Sequence, residues 1–212
     1  MSKQLDKKIR IPSQKRSINK SQKILETARQ LFSQKNYFDV TTNEIAKKSS
    51  VSIGTLYSYF SNKEDILVAL LKDYNNSFIK IFDDISTEKF VALFQVNQRD
   101  WLEKLIDKLL QNEDADFHTQ IEMLSYTIPE AKNTLEQHHY KIKELTYQCL
   151  LSYTQQEDNK ELKMLSEIMF NFISSIVDNL LYTKHTTIEQ EELKNSSIDC
   201  ILLIIQEYLN KK

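Results

Sequence analysis

Hydrophobic residues recur along this chain at the three- and four-residue spacing of an α-helix. The first such stripe consists of Ile24, Leu25, Ala28, Leu31 and Phe32. Broader stripes follow in the second half of the chain, across residues 162–181 and 198–209. The pattern predicts an all-α protein whose later helices bury wide apolar faces.

The composition supports this prediction, because the chain has one glycine and two prolines in 212 residues. A Gly-rich loop that cradles phosphate needs several glycines in a short run. Sandwiches and barrels of β-strands need Gly and Pro in their frequent turns. Both classes are therefore excluded. No pairing of a nucleophile with a base is visible, so we expect no enzyme and no cofactor.

Charge divides the chain unevenly. Residues 1–72 contain 14 Lys and Arg against 6 Asp and Glu, whereas residues 73–212 contain 14 against 24. A basic amino-terminal third indicates that this part binds a polyanion.

Two short helices are predicted inside the basic third. Thr41 and Glu44 have the spacing of a capping box at a helix start. Ser49 and Ser50 end that helix, and Ser52 caps the next one. Two short helices joined by a turn of about four residues form the outline of a helix-turn-helix.

Residues 24–72 resemble the amino-terminal domain of the tetracycline-repressor (TetR) family. The matching elements are Ala28, Leu31-Phe32, Tyr37-Phe38, Thr41-Thr42, Ile45-Ala46, Val51-Ser52, Gly54-Thr55-Leu56-Tyr57, Phe60 and Lys63-Glu64. The family usually has Gly where Asn36 and Ser50 stand. Asn36 is expected to accept a left-handed backbone, and Ser50 to do so at a cost of about 1–2 kcal/mol.

The resemblance implies a helix-turn-helix DNA-binding domain with a recognition helix in the major groove. Its family positions for phosphate contacts correspond to Thr42, Tyr57, Tyr59 and Lys63. The start of the recognition helix, which reaches base edges, corresponds to Ser52, Ile53, Gly54 and Thr55. It also implies a cytoplasmic homodimer on a palindromic operator, released by a small-molecule effector.

The resemblance also implies a carboxy-terminal domain that binds this effector. Candidate lining residues are His118, Glu122, Met123, Tyr126, Tyr147, Met169 and Phe170. His118 and Glu122 lie four residues apart, so they share a helical face at a spacing that metals use. A polar cavity wall is favoured over a metal site, and we expect no metal. Stripes of Met and aromatic residues are more often plain core than the lining of a cavity.

We therefore predict a flexible basic arm at 1–20, a DNA-binding domain at 21–72, and a ligand-binding and dimerisation domain at 73–212. Whether the arm follows phosphates or is only solvated stays open. Cys149 and Cys200 are expected to be reduced core residues, and no apolar run is long enough to span a membrane. Open alternatives are a response to a protein partner, an activator, and an all-α enzyme.

The two carboxy-terminal helices are predicted to form the dimer interface, at about 160–183 and 196–210. Their apolar faces exceed what one interior needs. Ile201 and Ile205 are expected to point outward at the partner subunit, in a four-helix bundle.

Overall fold

The computed structural model describes residues 15–112, 117, 123, 124 and 126–210. Within this part of the chain every regular element is helical, which confirms the all-α prediction. A short 3₁₀-helix spans Tyr37–Asp39. The α-helices among the described residues are α1 (Lys15–Gln34), α2 (Thr42–Lys48), α3 (Ile53–Tyr59), α4 (Lys63–Ile85), α5 (Glu88–Val96), α6 (Gln98–Asn112), α7 (Pro129–Thr154), α8 (Lys160–Tyr182) and α9 (Thr187–Asn210).

The chain divides into two compact units. The first contains the described residues of 1–74 and 116–135, and the second those of 75–115 and 136–212. The predicted boundary at residue 72 lies close to the first division, but residues 116–135 were assigned to the later domain. The described residues of this range belong to the first unit, where Phe117 is buried. Its ring lies 5.7 Å from that of Tyr74, and the Arg29 guanidinium lies 5.1 Å from it.

Helix α1 supplies much of the core of the first unit. Ile24, Ala28, Leu31 and Phe32 are fully or almost fully buried, as the spacing predicted. The helix begins at Lys15, however, and residues 15–20 are helical where a flexible arm was expected. No proline or glycine follows Pro12 in this segment, so polar residues extend the helix beyond its apolar stripe. The rest of the predicted arm, residues 1–14, lies outside the described residues.

The two positions where the TetR family usually has glycine behave differently. Ser50 has φ of 58°, so the left-handed conformation expected in the turn is present. Asn36 instead has φ of −63° and ψ of 138°, which corrects the expectation of a left-handed residue there. Its side chain accepts a hydrogen bond from the Phe38 amide and caps the 3₁₀-helix.

An aromatic cluster organises the second unit. Phe94, Trp101 and Tyr153 are buried, with ring centroids 5.1–5.2 Å apart. The Tyr153 hydroxyl donates to the carbonyl of Ile85 at 2.5 Å. The cluster thereby ties together the end of α4, α5, α6 and α7.

Helix α8 lies against the same core. By length and composition alone it meets the criterion for a membrane span. Its stripe of Leu162, Leu165, Met169 and Ile176 is buried in the unit's own core. Burial of one face against neighbouring helices is typical of the central helix of a helical domain, and α8 has that role here.

Helix α9 corrects one prediction. Ile201 and Ile205 are 0% and 1% exposed, so they face the core of their own chain rather than a partner subunit. Leu203 is 65% exposed instead. The unbroken apolar run 201–205 covers more than one face of the helix, and the run itself does not say which residues point outward.

The turn at Ser50 generates a stability prediction. Replacing Ser50 by glycine removes the steric cost of the left-handed backbone, so we expect the free energy of unfolding to rise by about 1 kcal/mol. Urea denaturation followed by circular dichroism measures this change. Ser49→Gly is the matched control, because Ser49 has φ of −76° and its hydroxyl donates to the Ile45 carbonyl. That variant should be destabilised, and equal effects of the two substitutions would contradict the explanation.

Candidate nucleic-acid interface

The start of α2 is held by a hydroxyl cap. Thr41 Oγ1 accepts a hydrogen bond from the Glu44 amide at 3.2 Å. The Glu44 carboxylate does not complete a capping box, because it pairs with Lys35 at 2.7 Å and with Lys48 at 3.6 Å. The hydrogen bond from Lys35 lowers the pKa of Glu44 below its ordinary value. Thr42, the first residue of α2, lies just behind this cap.

The start of α3 is capped in the same way. Ser52 Oγ accepts from the Thr55 amide at 3.1 Å, and the two hydroxyl oxygens lie 2.8 Å apart. Ile53 is 37% exposed. A Cβ placed on Gly54 would meet no heavy atom within 4 Å. The four residues predicted to reach base edges therefore form an open helix end.

Tyr57 and Thr42 are joined on the same surface. The Tyr57 side chain is 41% exposed, and its hydroxyl lies 3.0 Å from Thr42 Oγ1. Two predicted phosphate contacts, 15 residues apart in sequence, thus form one hydroxyl pair between α2 and α3. Either oxygen can donate to a phosphate while it accepts from the other.

Tyr59 lies on the opposite side of α3. It is buried, as are Leu56 and Phe60. Its hydroxyl lies 3.0 Å from Ser17 Oγ in the first turn of α1. Pattern analysis missed Ser17, because a contact across 42 residues leaves no local signal in the sequence.

Lys63 has two intramolecular acceptors at the start of α4. Its Nζ donates to the carbonyls of Tyr37 and Val40, each at 2.9 Å. It also lies 4.2 Å from the centre of the Tyr37 ring. Partial burial lowers the pKa of Lys63, while Glu64 and Asp39 oppose this shift. An ammonium has three N–H groups, so one remains after the two carbonyls are satisfied.

The candidate effector residues are not brought together by the described structure. His118 and Glu122 lie outside the described residues. Met123 and Tyr126 are 44% and 89% exposed and belong to the first unit, whereas a cavity inside the carboxy-terminal domain was expected. Met and aromatic residues occur at helical spacing on surfaces as well as in cavities, so spacing did not distinguish these cases.

The other three candidates lie in the second unit. Met169 is fully packed in the core. Tyr147 is buried, and its hydroxyl donates to Asp158 Oδ1 at 2.5 Å. Burial, aided by Asp158, raises the pKa of Tyr147 to about 12. Phe170 is half-buried, with Lys143 Nζ 5.6 Å from its ring centre and the His139 ring 5.9 Å away.

Two polar groups outside the predicted site residues are more informative. Asn75 Oδ1 and His138 Nδ1 are both buried in the second unit without a hydrogen-bond partner. His138 packs 6.0 Å from the Phe78 ring, and Asn75 lies one helical turn before Phe78 on α4. Burial, with a smaller contribution from His139, lowers the pKa of His138 to about 4. Unsatisfied buried polar atoms are rare and often mark functional sites.

Two family models match the chain. Residues 24–70 match the model of bacterial regulatory proteins of the tetR family. Residues 79–207, more than half of the chain, match the tetracyclin repressor-like carboxy-terminal domain. The chain belongs to the TetR family. The resemblance first seen in residues 24–72 therefore extends over both units.

Curated relatives of this TetR-family chain match only part of its length. The fatty acid metabolism regulator protein of Bacillus subtilis (strain 168) is 37% identical over 73 residues, which is 34% of this chain and 38% of that protein. The HTH-type transcriptional regulator HbdR of Aromatoleum sp. (strain CIB) is 42% identical over 50 residues, or 24% of this chain and 22% of that protein. The chain thus spans well under half the length of these relatives.

Solved structures share the whole fold. A TetR-family transcriptional regulator from Mesorhizobium loti MAFF303099 aligns with a TM-score of 0.70 at 17% identity, covering 90% of this chain and 98% of that one. A transcriptional regulator from Saccharomonospora viridis in complex with choline aligns with a TM-score of 0.64 at 18% identity, covering 87% and 96%. At sequence identities this low, the structural similarity establishes the fold alone.

The partly buried His138 generates a pH prediction. The unfolded chain binds a proton below about pH 6.5, but folded His138 does so only near pH 4. The contribution of neutral His138 to the free energy of unfolding is therefore complete above pH 6.5 and is lost as the pH falls from 6.5 to 4. We expect a loss of about 2 kcal/mol over this range. His138→Phe should flatten the dependence in urea titrations between pH 7.5 and 4.5. His185→Gln is the control, and an equal flattening in both variants would contradict the assignment.

Proposed function

We propose that this chain is a sequence-specific DNA-binding transcriptional regulator that reads base edges with the amino-terminal end of α3. The observation that carries this proposal is Gly54. A glycine in the interior of a helix costs about 1 kcal/mol relative to alanine, so Gly54 in the first turn of α3 costs up to about that much. The chain itself has room for a methyl group at this position. The absence of a side chain at Gly54 is therefore attributed to a molecule outside the chain, and we propose that this molecule is closely approaching DNA.

The contacts divide into two classes. Ser52, Ile53, Gly54 and Thr55 form the open end of the helix and are proposed to contact base edges. The Thr42–Tyr57 hydroxyl pair and the third N–H of Lys63 are proposed to contact phosphates, which fix register without reading sequence. Tyr59 is proposed as a positioning residue, because its hydroxyl is already engaged by Ser17.

A homodimer is proposed from the outward faces of α8 and α9. Met164 and Ile168 on α8 are 55% and 45% exposed, and Leu203 on α9 is 65% exposed. Ile168 follows Met164 by one helical turn, so they share one face. Covering these residues with their twofold mates removes them from water. Such a dimer presents two recognition helices to successive major grooves, about 34 Å apart on a palindromic operator.

Release of DNA by a small molecule is proposed for the second unit. Asn75 Oδ1 and His138 Nδ1, which are buried without a hydrogen-bond partner, are candidate polar contacts for the effector. Phe78, which lies between these two residues in the sequence, packs its ring 6.0 Å from that of His138. The choline complex of the Saccharomonospora viridis protein is a precedent for a small-molecule ligand on this fold. An effector shifts the equilibrium only by its differential affinity for the DNA-bound and released forms.

The proposed location of the regulator is the cytoplasm.

A regulator that responds to a protein partner is the alternative. It predicts that no small molecule raises the thermal stability of the protein, whereas partner binding alters DNA affinity. An activator differs from a repressor only in the transcriptional outcome, which a reporter gene downstream of the operator measures. Turnover of a substrate by purified protein that has no DNA affinity would favour an enzyme.

Gly54→Ala provides the sharpest test of the interface. The new methyl group has space in the free protein, so we expect the free energy of unfolding to rise by up to about 1 kcal/mol. The same methyl group should weaken binding to a duplex selected by the wild-type protein, by about 1–3 kcal/mol. Fluorescence anisotropy on the selected duplex and thermal denaturation measure the two effects.

Tyr57→Phe is the comparison variant for this test. It loses a phosphate contact, so it should weaken binding to selected and scrambled duplexes by the same factor. If Gly54→Ala left the preference for the selected duplex unchanged, α3 would not be the reading element.

The dimer is tested with charges on the exposed face. Ile168→Glu combined with Leu203→Glu places buried carboxylates in the proposed interface, which should exceed about 2,000 Å² of total buried area. We expect sedimentation to show monomers and operator binding to be lost. Val96→Glu is the control, because Val96 is 86% exposed at the end of α5. A wild-type protein that sediments as a monomer at micromolar concentration would refute the dimer.

A further inference from the structure

Four cations crowd the first nine residues of α1. Lys15, Arg16, Lys20 and Lys23 occur before the first acidic residue of the helix, Glu26. The first turn of α1 contains no acidic residue. Cations near a helix amino terminus oppose the helix dipole, and like charges one turn apart repel each other. This part of α1 is therefore electrostatically unfavourable in the free protein.

Two of these cations are available for a partner. Lys20 and Lys23 are exposed, and they have no ion pair with any described residue. By contrast, Lys35 and Lys48 in the same unit both pair with Glu44. The spacing of three residues places Lys20 and Lys23 on one flank of α1.

The same part of α1 is fixed to the recognition helix. Ser17 Oγ lies 3.0 Å from the hydroxyl of Tyr59, the last residue of α3. Lys20 follows Ser17 by less than one turn. The bond therefore holds the first turn of α1 beside the carboxy-terminal end of α3, which places the exposed lysines of α1 in the same unit as the proposed DNA interface.

From these observations we infer that Lys20 and Lys23 form a second phosphate-binding surface, which contacts the backbone of the same duplex that α3 reads. The inference rests on the proposed DNA-binding function and adds a surface to it. The repulsion among the cations is relieved when phosphates lie between them. Ser17 and Tyr59 act as positioning residues, since they set where this surface meets the backbone.

The salt dependence of DNA binding tests the inference. Each phosphate contact adds about 0.9 to the slope of log affinity against log salt concentration. In a dimer, Lys20→Gln with Lys23→Gln removes four contacts, so the slope should fall by about 3–4 on selected and scrambled duplexes alike. Affinity near 150 mM salt should fall at least about tenfold. The full-length protein is titrated by fluorescence anisotropy between 50 and 200 mM salt.

The matched control removes the same charge elsewhere. Lys80→Gln with Lys184→Gln changes two exposed lysines of the second unit, and it should leave the slope unchanged. The melting temperature of Lys20→Gln with Lys23→Gln should stay constant or rise by about 1–2 °C, because repulsion in α1 is reduced. A lower melting temperature with an unchanged slope would show a structural role and overturn the inference.

The positioning pair is tested by a double-mutant cycle. Ser17→Ala and Tyr59→Phe should each weaken binding several-fold, and the double variant should be no weaker than either one. If Ser17→Ala had no effect while Tyr59→Phe weakened binding, Tyr59 itself would contact phosphate and the positioning role would be refuted. Wild-type protein that binds no duplex would refute the proposed function; normal wild-type binding with an unchanged slope in the lysine variant would refute this inference alone.

Discussion

The recognition helix α3 has only seven residues, and the rest of the first unit depends on how so short a helix is held. Isolated helices of fewer than about 12–15 residues are marginal in water. One face of α3 must therefore be anchored by packing while the other stays free. Leu56 is completely buried, and Tyr59 and Phe60 are nearly so. Hydroxyl contacts from Ser52, Thr42 and Ser17 fix the start, the middle and the end of the helix.

Several features near this helix lower the stability of the free protein. Gly54 lies within a helix although a side chain would fit. Ser50 adopts a left-handed backbone in the turn. The first turns of α1 concentrate positive charge, and the first turn contains no acidic residue. Under the proposed function, close approach of a polyanion would explain Gly54 and the α1 charges, whereas Ser50 is explained by the geometry of the turn alone. Local instability at a functional surface is common, because the free energy of binding offsets the loss of folding stability there.

The second unit combines an aromatic core with buried polar atoms that have no hydrogen-bond partner, among them Asn75 Oδ1 and His138 Nδ1. Phe94, Trp101 and Tyr153 supply contacts that hold four helices together. By contrast, Asn75 Oδ1 and His138 Nδ1 are buried polar atoms that form no stabilising hydrogen bond. Leaving such groups unpaired costs about 1–3 kcal/mol each. A ligand that satisfies them recovers this energy, which is a physical basis for coupling effector binding to the state of the unit.

Sequence alone determined the helical class, the helix-turn-helix and the core face of α1, because these follow from spacing and local capping. It also determined the family, since residues 24–72 carry a dense set of matching positions. Tertiary structure decided which face of the run 201–205 is buried, where Phe117 packs, and which atoms the polar groups of Tyr59 and Lys63 contact. Those outcomes depend on contacts between residues far apart in the chain. Periodicity reports that a helix has an apolar face, but only its neighbours in space decide what that face touches.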